Sequence, residues 1–101
     1  MVIISKAIVR EFSARYPDAE GALVNWYELC ENANWSNFNE MRNTFNSVDA
    51  VGNDRYVFNI KGNKYRLVAL IIFKVRTIFI AFVGTHSEYD KIDVSTISIR
   101  K

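Results

Sequence analysis

The stretch THSEYDK, Thr85 to Lys91, carries the chain's only histidine two positions after a glycine and three before a tyrosine. An imidazole exchanges protons near neutral pH, and a phenol donates to or orients a phosphate oxygen. Thr85 and Glu88 also have the T-x-x-E spacing of a capping box, in which each side chain meets the other's backbone N–H. That spacing predicts a helical turn opening at Thr85. On such a turn His86 and Tyr89 share a side, and Asp90 lies four residues beyond His86. Taken alone, a histidine among acidic neighbours is more often a structural hydrogen-bonder than a catalyst. A metal centre is weaker still, because the chain's one histidine is distant from its one cysteine, Cys30. Cations complete the inventory: Lys61, Lys64 and Arg66 crowd around Gly62-Asn63.

These groups need elements to hold them. Val2, Ile3 and Ile4 are β-branched and read as a short strand. Ser5 is a candidate N-cap for a helix from Lys6 to Tyr16, where Ile8, Val9, Phe12 and Tyr16 recur at helical spacing before Pro17 stops it. Asp18 is a candidate cap for a second helix ending near Ala33, with Ala22, Leu23, Trp26, Leu29 and Cys30 as its apolar stripe. Ser36 would cap a third short helix, Asn37 to Asn43. After Asn46 the apolar period drops to two. Val48 to Val51 reads as a weak strand, Arg55 to Lys61 as a strand with Tyr56, Phe58 and Ile60 on one face, and Gly62-Asn63 as a hairpin connector. Lys64 to Phe73 is apolar on both faces from Leu67 onward, as a central strand covered by helices would be. Lys74 to Arg76 reads as a polar turn and Thr77 to Gly84 as the last clear strand.

With 101 residues, half of them hydrophobic, the chain is the size of one compact domain spanning 1–101, and the composition excludes a disordered polymer. One cysteine excludes an internal disulfide and points to a reducing compartment. Met1 to Ile4 is too short for a signal-peptide core, and Lys74 and Arg76 cut the apolar run of Val68 to Phe73 far short of a bilayer span. A soluble cytoplasmic protein is the expectation. The net charge of +2 divides unevenly: residues 1–50 hold four basic against seven acidic side chains, residues 51–101 nine against four. A basic half suits a polyanion, since neutralising phosphates releases counterions, although solvated strand-edge lysines would give the same count.

GNKYRL (Gly62 to Leu67), the apolar strand behind it and THSEYDK together resemble the HigB toxins of bacterial type II toxin-antitoxin systems, which are similar in turn to the wider RelE group. The likeness spans nearly the whole chain: first strand, Tyr-Pro boundary between two helices, small third helix, then sheet. It implies a RelE-like α+β fold, with a short N-terminal strand and two to three helices packed on one face of a mainly antiparallel sheet of four to five strands. It further implies an mRNA endonuclease that acts on translated message at the ribosome, needs no cofactor, and is silenced by a helix-turn-helix antitoxin of the HigA kind. Arg66 matches the family arginine, and His86, Tyr89, Asp90 and Lys91 match the C-terminal motif. Lys64 stands where the family is less uniform. The tail IDVSTISIRK departs from relatives in being apolar and β-branched, and is expected to add an edge strand.

Cleavage by attack of a ribose 2′-OH on the adjacent phosphate requires proton transfer and positive charge beside the pentavalent phosphorus. The expected catalytic set is Arg66 on the phosphate, His86 moving a proton, and Tyr89 contacting the phosphate or assisting the leaving group. Lys61, Lys64 and Lys91 would position the RNA backbone, and Asp90 would orient His86 or stabilise the turn. Against this, Arg66 can be a surface arginine paired with Glu88 or Asp90, and Tyr89 a lid on the core. Trp26, Trp35, Phe38 and Phe45 read as helix packing. A non-catalytic RNA- or protein-binding module, or an inactive toxin copy retained for repression with its antitoxin, would use the same basic face.

Overall fold

Residues 1–98 are described by the structure, a computed structural model. The order is β1 (Val2–Ile4), α1 (Lys6–Arg15), a 3-10 turn (Pro17–Ala19), α2 (Glu20–Glu31), α3 (Phe38–Thr44), β2 (Asp49–Gly52), β3 (Arg55–Ile60), β4 (Tyr65–Ile72), a second 3-10 turn (Phe73–Val75), β5 (Thr77–Thr85) and α4 (His86–Tyr89). One sheet runs β1-β5-β4-β3-β2, so the doubly apolar strand is indeed central. The last four strands form an antiparallel meander, and β1 closes the far edge parallel to β5. The architecture is α+β and mostly antiparallel, as the residue pattern and the family likeness both led one to expect.

Strand alternation sorts the residues. Tyr56, Phe58 and Ile60 of β3, Tyr65, Leu67, Ala69 and Ile71 of β4, and Ile78 and Ile80 of β5 face the helices. There they join Phe12, Leu23, Trp26, Cys30 and Met41 in one core. Trp26 and Phe45 both stand edge-on to Phe58, with ring centroids 5.3 and 5.2 Å away, and Trp35 stands edge-on to Phe45. The helix aromatics are therefore packing residues. Val57 and Val68 face the opposite side and are buried as well.

Several local readings change. Ser5 is left-handed (φ 74°) and makes no side-chain capping bond to α1. Asp18 does not cap α2, whose first turn grows out of the 3-10 turn and is preceded by Ala19. The third helix is capped by Asn37 rather than Ser36: Asn37 Oδ1 accepts from Glu40 N at 3.0 Å, while Ser36 N donates to Glu40 Oε1 at 2.8 Å. At the hairpin, the residues with positive φ are Lys61 and Gly62, not Asn63. Arg76 does more than turn the chain, donating through Nε to Asn34 Oδ1 and through Nη2 to Ser36 Oγ.

The tail forms no edge strand over 92–98. It runs through turns and is tied to the far end of β3: Arg55 Nε and Nη2 donate to Ile97 O at 3.1 and 2.7 Å, and Asn53 Nδ2 donates to Ser95 O at 2.8 Å. Alternating β-branched residues suggested a strand, but over 92–98 the chain pairs with neither edge strand, β1 or β2. Arg55 claims a tail carbonyl that an edge strand would have paired. The part of the expected strand at 99–101 lies outside the described residues.

Candidate active site

The hairpin end of the sheet collects the chemistry. β3 delivers Lys61, β4 begins with Tyr65 and Arg66, and β5 ends at Gly84 and Thr85, with Tyr65 paired to Thr85 and Arg66 to Gly84. α4 opens at once because Thr85 and Glu88 form the expected box: Thr85 N donates to Glu88 Oε1 at 2.9 Å, and Glu88 N donates to Thr85 Oγ1 at 3.3 Å. Such a cap satisfies two N–H groups that the first helical turn would otherwise leave without partners. Glu88 also faces Arg15 at the end of α1, 3.9 Å away.

That turn lays Tyr89 against Arg66, whose guanidinium carbon is 5.8 Å from the ring centroid. Arg66 Nη1 also donates to Asn63 O at 3.4 Å. Arg66 is half-buried, so its stem is held while its planar head stays within reach of solvent. Its contacts are thus an aromatic ring and a carbonyl, not the Glu88 or Asp90 carboxylates weighed from sequence. His86 is exposed at the start of the same turn, three residues from Tyr89, and its carbonyl accepts from Asp90 N at 2.9 Å. Asp90 and Lys91 follow, both exposed. Arg66, His86 and Tyr89 therefore stand at one end of the sheet, with Arg66 and Tyr89 in direct contact.

Lys61 and Lys64 go elsewhere. Asp18 Oδ2 accepts from Lys64 Nζ at 2.6 Å and from Lys61 Nζ at 3.4 Å, and the Asp18 carbonyl accepts from Lys61 Nζ at 3.1 Å. Asp18 Oδ1 accepts from Tyr65 OH at 2.7 Å. The Tyr65 ring is buried edge-on to Phe12, so this hydroxyl surfaces on the helix side while its neighbour Arg66 points to the other face. Lys64, and then Tyr65, hold the Asp18 carboxyl well below the usual carboxylate range. The same hydrogen bonds raise the Lys64 ammonium and the Tyr65 phenol. The three cations read from sequence as one group are thus two: a pair neutralised by Asp18 and an arginine on Tyr89.

Two neighbours escaped the sequence reading. Asn59 pairs across β3 with Arg66 and shares its face. Phe82 reaches that face through a bulge, since Val68 pairs with Phe82 but Ala69 with Ile80, leaving Ala81 unpaired. A Cβ on Gly84 would sit 2.4 Å from Phe82 Cζ, so the ring tip fills the space a side chain at 84 would take. Phe-x-Gly near the end of a strand was the available signal. Among the described residues no group of three or more His, Cys, Asp or Glu could hold a metal ion, and no helix is long and apolar enough to cross a membrane.

The described fold is thus an α+β domain whose five-stranded sheet carries an arginine and a capped His-Tyr turn at one end. The family model matching residues 19–92 describes HigB_toxin, the RelE-like toxic component of a toxin-antitoxin system. An mRNA interferase HigB of Escherichia coli O6:H1 (strain CFT073) is 35% identical over 94 residues, covering 91% of each chain. The mRNA interferase toxin HigB of Escherichia coli K12 is 28% identical over 92 residues, 89% of this chain and 88% of that one, as is an mRNA interferase HigB of Shigella flexneri. The chain belongs to the HigB toxin family, and membership implies an antitoxin partner.

Proposed function

We propose that the protein is the toxin of a toxin-antitoxin pair and acts as an mRNA endoribonuclease in the cytoplasm, on message held by the ribosome. The relatives that span its length are named mRNA interferases, and the contact between Arg66 and Tyr89 carries the reading. An arginine laid on an aromatic face keeps its donor edge aimed outward as a planar fork suited to phosphate oxygens. His86 takes the proton from the ribose 2′-OH as its oxygen bonds to phosphorus. The bond from phosphorus to the 5′-oxygen breaks, and that oxygen leaves with the proton donated by the Tyr89 hydroxyl. Arg66 stabilises the charge gathered on the equatorial oxygens between those events. The products are a 2′,3′-cyclic phosphate and a 5′-hydroxyl.

Lys91 meets the backbone nearby and Asp90 orients His86. Lys61 and Lys64 join the backbone contacts only as far as they leave Asp18. Silencing falls to a helix-turn-helix antitoxin of the HigA kind, whose acidic segments would compete for the same cations. The test is cleavage of ribosome-bound message by Arg66→Ala and His86→Ala, made separately. We expect losses of about 10²- to 10³-fold for the arginine and about 10²- to 10⁴-fold for the histidine. Full activity in both would remove the assignment.

A further inference from the structure

We propose that Phe82 is a nucleobase platform, on which a base flanking the phosphate held by Arg66 stacks. This rests on the RNA-cleaving reading above and adds a subsite to it. The bulge at Ala81 turns Phe82 out of the core and onto the face of Arg66 and Asn59, where it is only half-buried. Its ring extends along β5 with its tip over Gly84, and Gly84 is the direct cross-strand partner of Arg66. The absent side chain at 84 is what lets the ring lie down along the strand, over the cross-strand partner of Arg66, instead of standing away from the sheet. Tyr89 stands against that same guanidinium at 5.8 Å. A cation with one aromatic ring against it and a second beside its strand partner fits single-stranded RNA, whose backbone follows the charge while its bases stack on rings. A bare apolar cover for Val68 would need neither the glycine nor the neighbouring arginine.

The test separates binding from cleavage. Short single-stranded 2′-O-methyl RNA, which lacks the attacking hydroxyl, is titrated against wild type, Phe82→Leu, Phe82→Trp and Gly84→Ala. An added Cβ at 84 displaces the ring without removing it, so Gly84→Ala keeps the core while spoiling the platform. Phe82→Leu and Gly84→Ala should bind roughly 5- to 150-fold more weakly, the range of one base-aromatic stack. Phe82→Trp should keep binding, with its indole fluorescence quenched. Removing the base at one position of the RNA should weaken wild type but not Phe82→Leu, a coupling that a purely structural phenylalanine would not produce. Binding at wild-type strength by both Phe82→Leu and Gly84→Ala overturns the platform, as does an abasic series that affects wild type and Phe82→Leu alike, or no binding by wild type. If those variants still cleave ribosome-bound message at the wild-type rate, the platform falls while the nuclease reading stands. If wild type binds through Phe82 but never cleaves, the reverse holds.

Discussion

Replacing Asp18 with asparagine tests how many cations the protein can offer to RNA. Asp18 Oδ2 is the acceptor that holds Lys64 at 2.6 Å and Lys61 at 3.4 Å, and Lys61 alone has a second acceptor there, the Asp18 carbonyl at 3.1 Å. Asparagine keeps the shape and can still accept from Tyr65 OH, but it removes the charge. Lys64 is then released fully and Lys61 in part, so one to two ammonium groups become available to phosphates. Each phosphate neutralised on a single strand steepens the fall of log K with log salt by about 0.7. The variant's slope should therefore be steeper by about 0.7 to 1.4. Between 50 and 200 mM salt this means an additional loss of affinity of roughly 3- to 7-fold, starting from tighter binding at low salt. The assay is titration of uncleavable RNA across a salt series, with Lys64→Ala added to both backgrounds. Lys64→Ala should flatten the slope in the Asp18→Asn protein and leave it unchanged in wild type. Parallel salt lines for wild type and Asp18→Asn would refute the reasoning, because phosphate would then already be displacing the carboxylate.

The same cluster sets a pH dependence. The Asp18 pKa is depressed on folding, so its contribution to stability is complete above the ordinary carboxylate value and is lost as acid titrates the folded carboxyl. Lys64 and Tyr65 are raised, so theirs are complete below their ordinary values and lost in alkali. Urea unfolding should show wild type exceeding Asp18→Asn by a constant margin through neutral pH, shrinking at both ends. Thr85→Ala removes one half of the capping box and should cost about 1 kcal/mol in the same assay, and it should lower cleavage by loosening Tyr89 from Arg66. Trp26 is buried with no hydrogen-bond partner for Nε1 among the described residues. Trp26→Phe should therefore be nearly neutral, since relief of a buried unmet donor, about 1–3 kcal/mol, offsets the lost packing. Trp26→Ala should cost about 3–5 kcal/mol. A loss above about 3 kcal/mol for Trp26→Phe would show that the indole N–H is satisfied.

What the sequence made legible is what period and local chemistry encode. Alternation across Arg55–Ile60 and the doubly apolar Leu67–Ile72 placed β3 and β4, and T-x-x-E placed α4, because each signal is contained in a few consecutive residues. Asp18 was misread for the same reason. An aspartate after Tyr-Pro has the local signature of a cap, whereas its partners Lys64 and Tyr65 are 46 and 47 residues away and are delivered by the hairpin. Arg66 and Tyr89 were named as site residues, yet their stacking depends on the register that sets Arg66 opposite Gly84. The tail escaped because its anchors, Asn53 and Arg55, are each 42 residues from the carbonyls they hold, beyond any local window.

The bulge shows why the outward turn of Phe82 was hidden. In TIFIAFVGT, Ile78, Ile80 and Phe82 stand at strict alternation, which would send all three into the helix-side core and turn Val83 outward. Both faces of β5 are apolar, so the pattern stays equally satisfied after a slip of one residue, and register is weakly specified by hydrophobicity alone. Pairing decides it: Leu67 opposite Val83 and Val68 opposite Phe82 place the valine against the core and bring the phenylalanine to the face of Arg66. The extra residue is Ala81, small enough to remain unpaired beside a strand neighbour. Gly84 then follows on the Arg66 face, where any larger residue would collide with the ring that the bulge has turned outward. Three features of β5, the unpaired Ala81, the outward Phe82 and the side-chain-free Gly84 opposite Arg66, fit one another, and the proposed platform depends on all three.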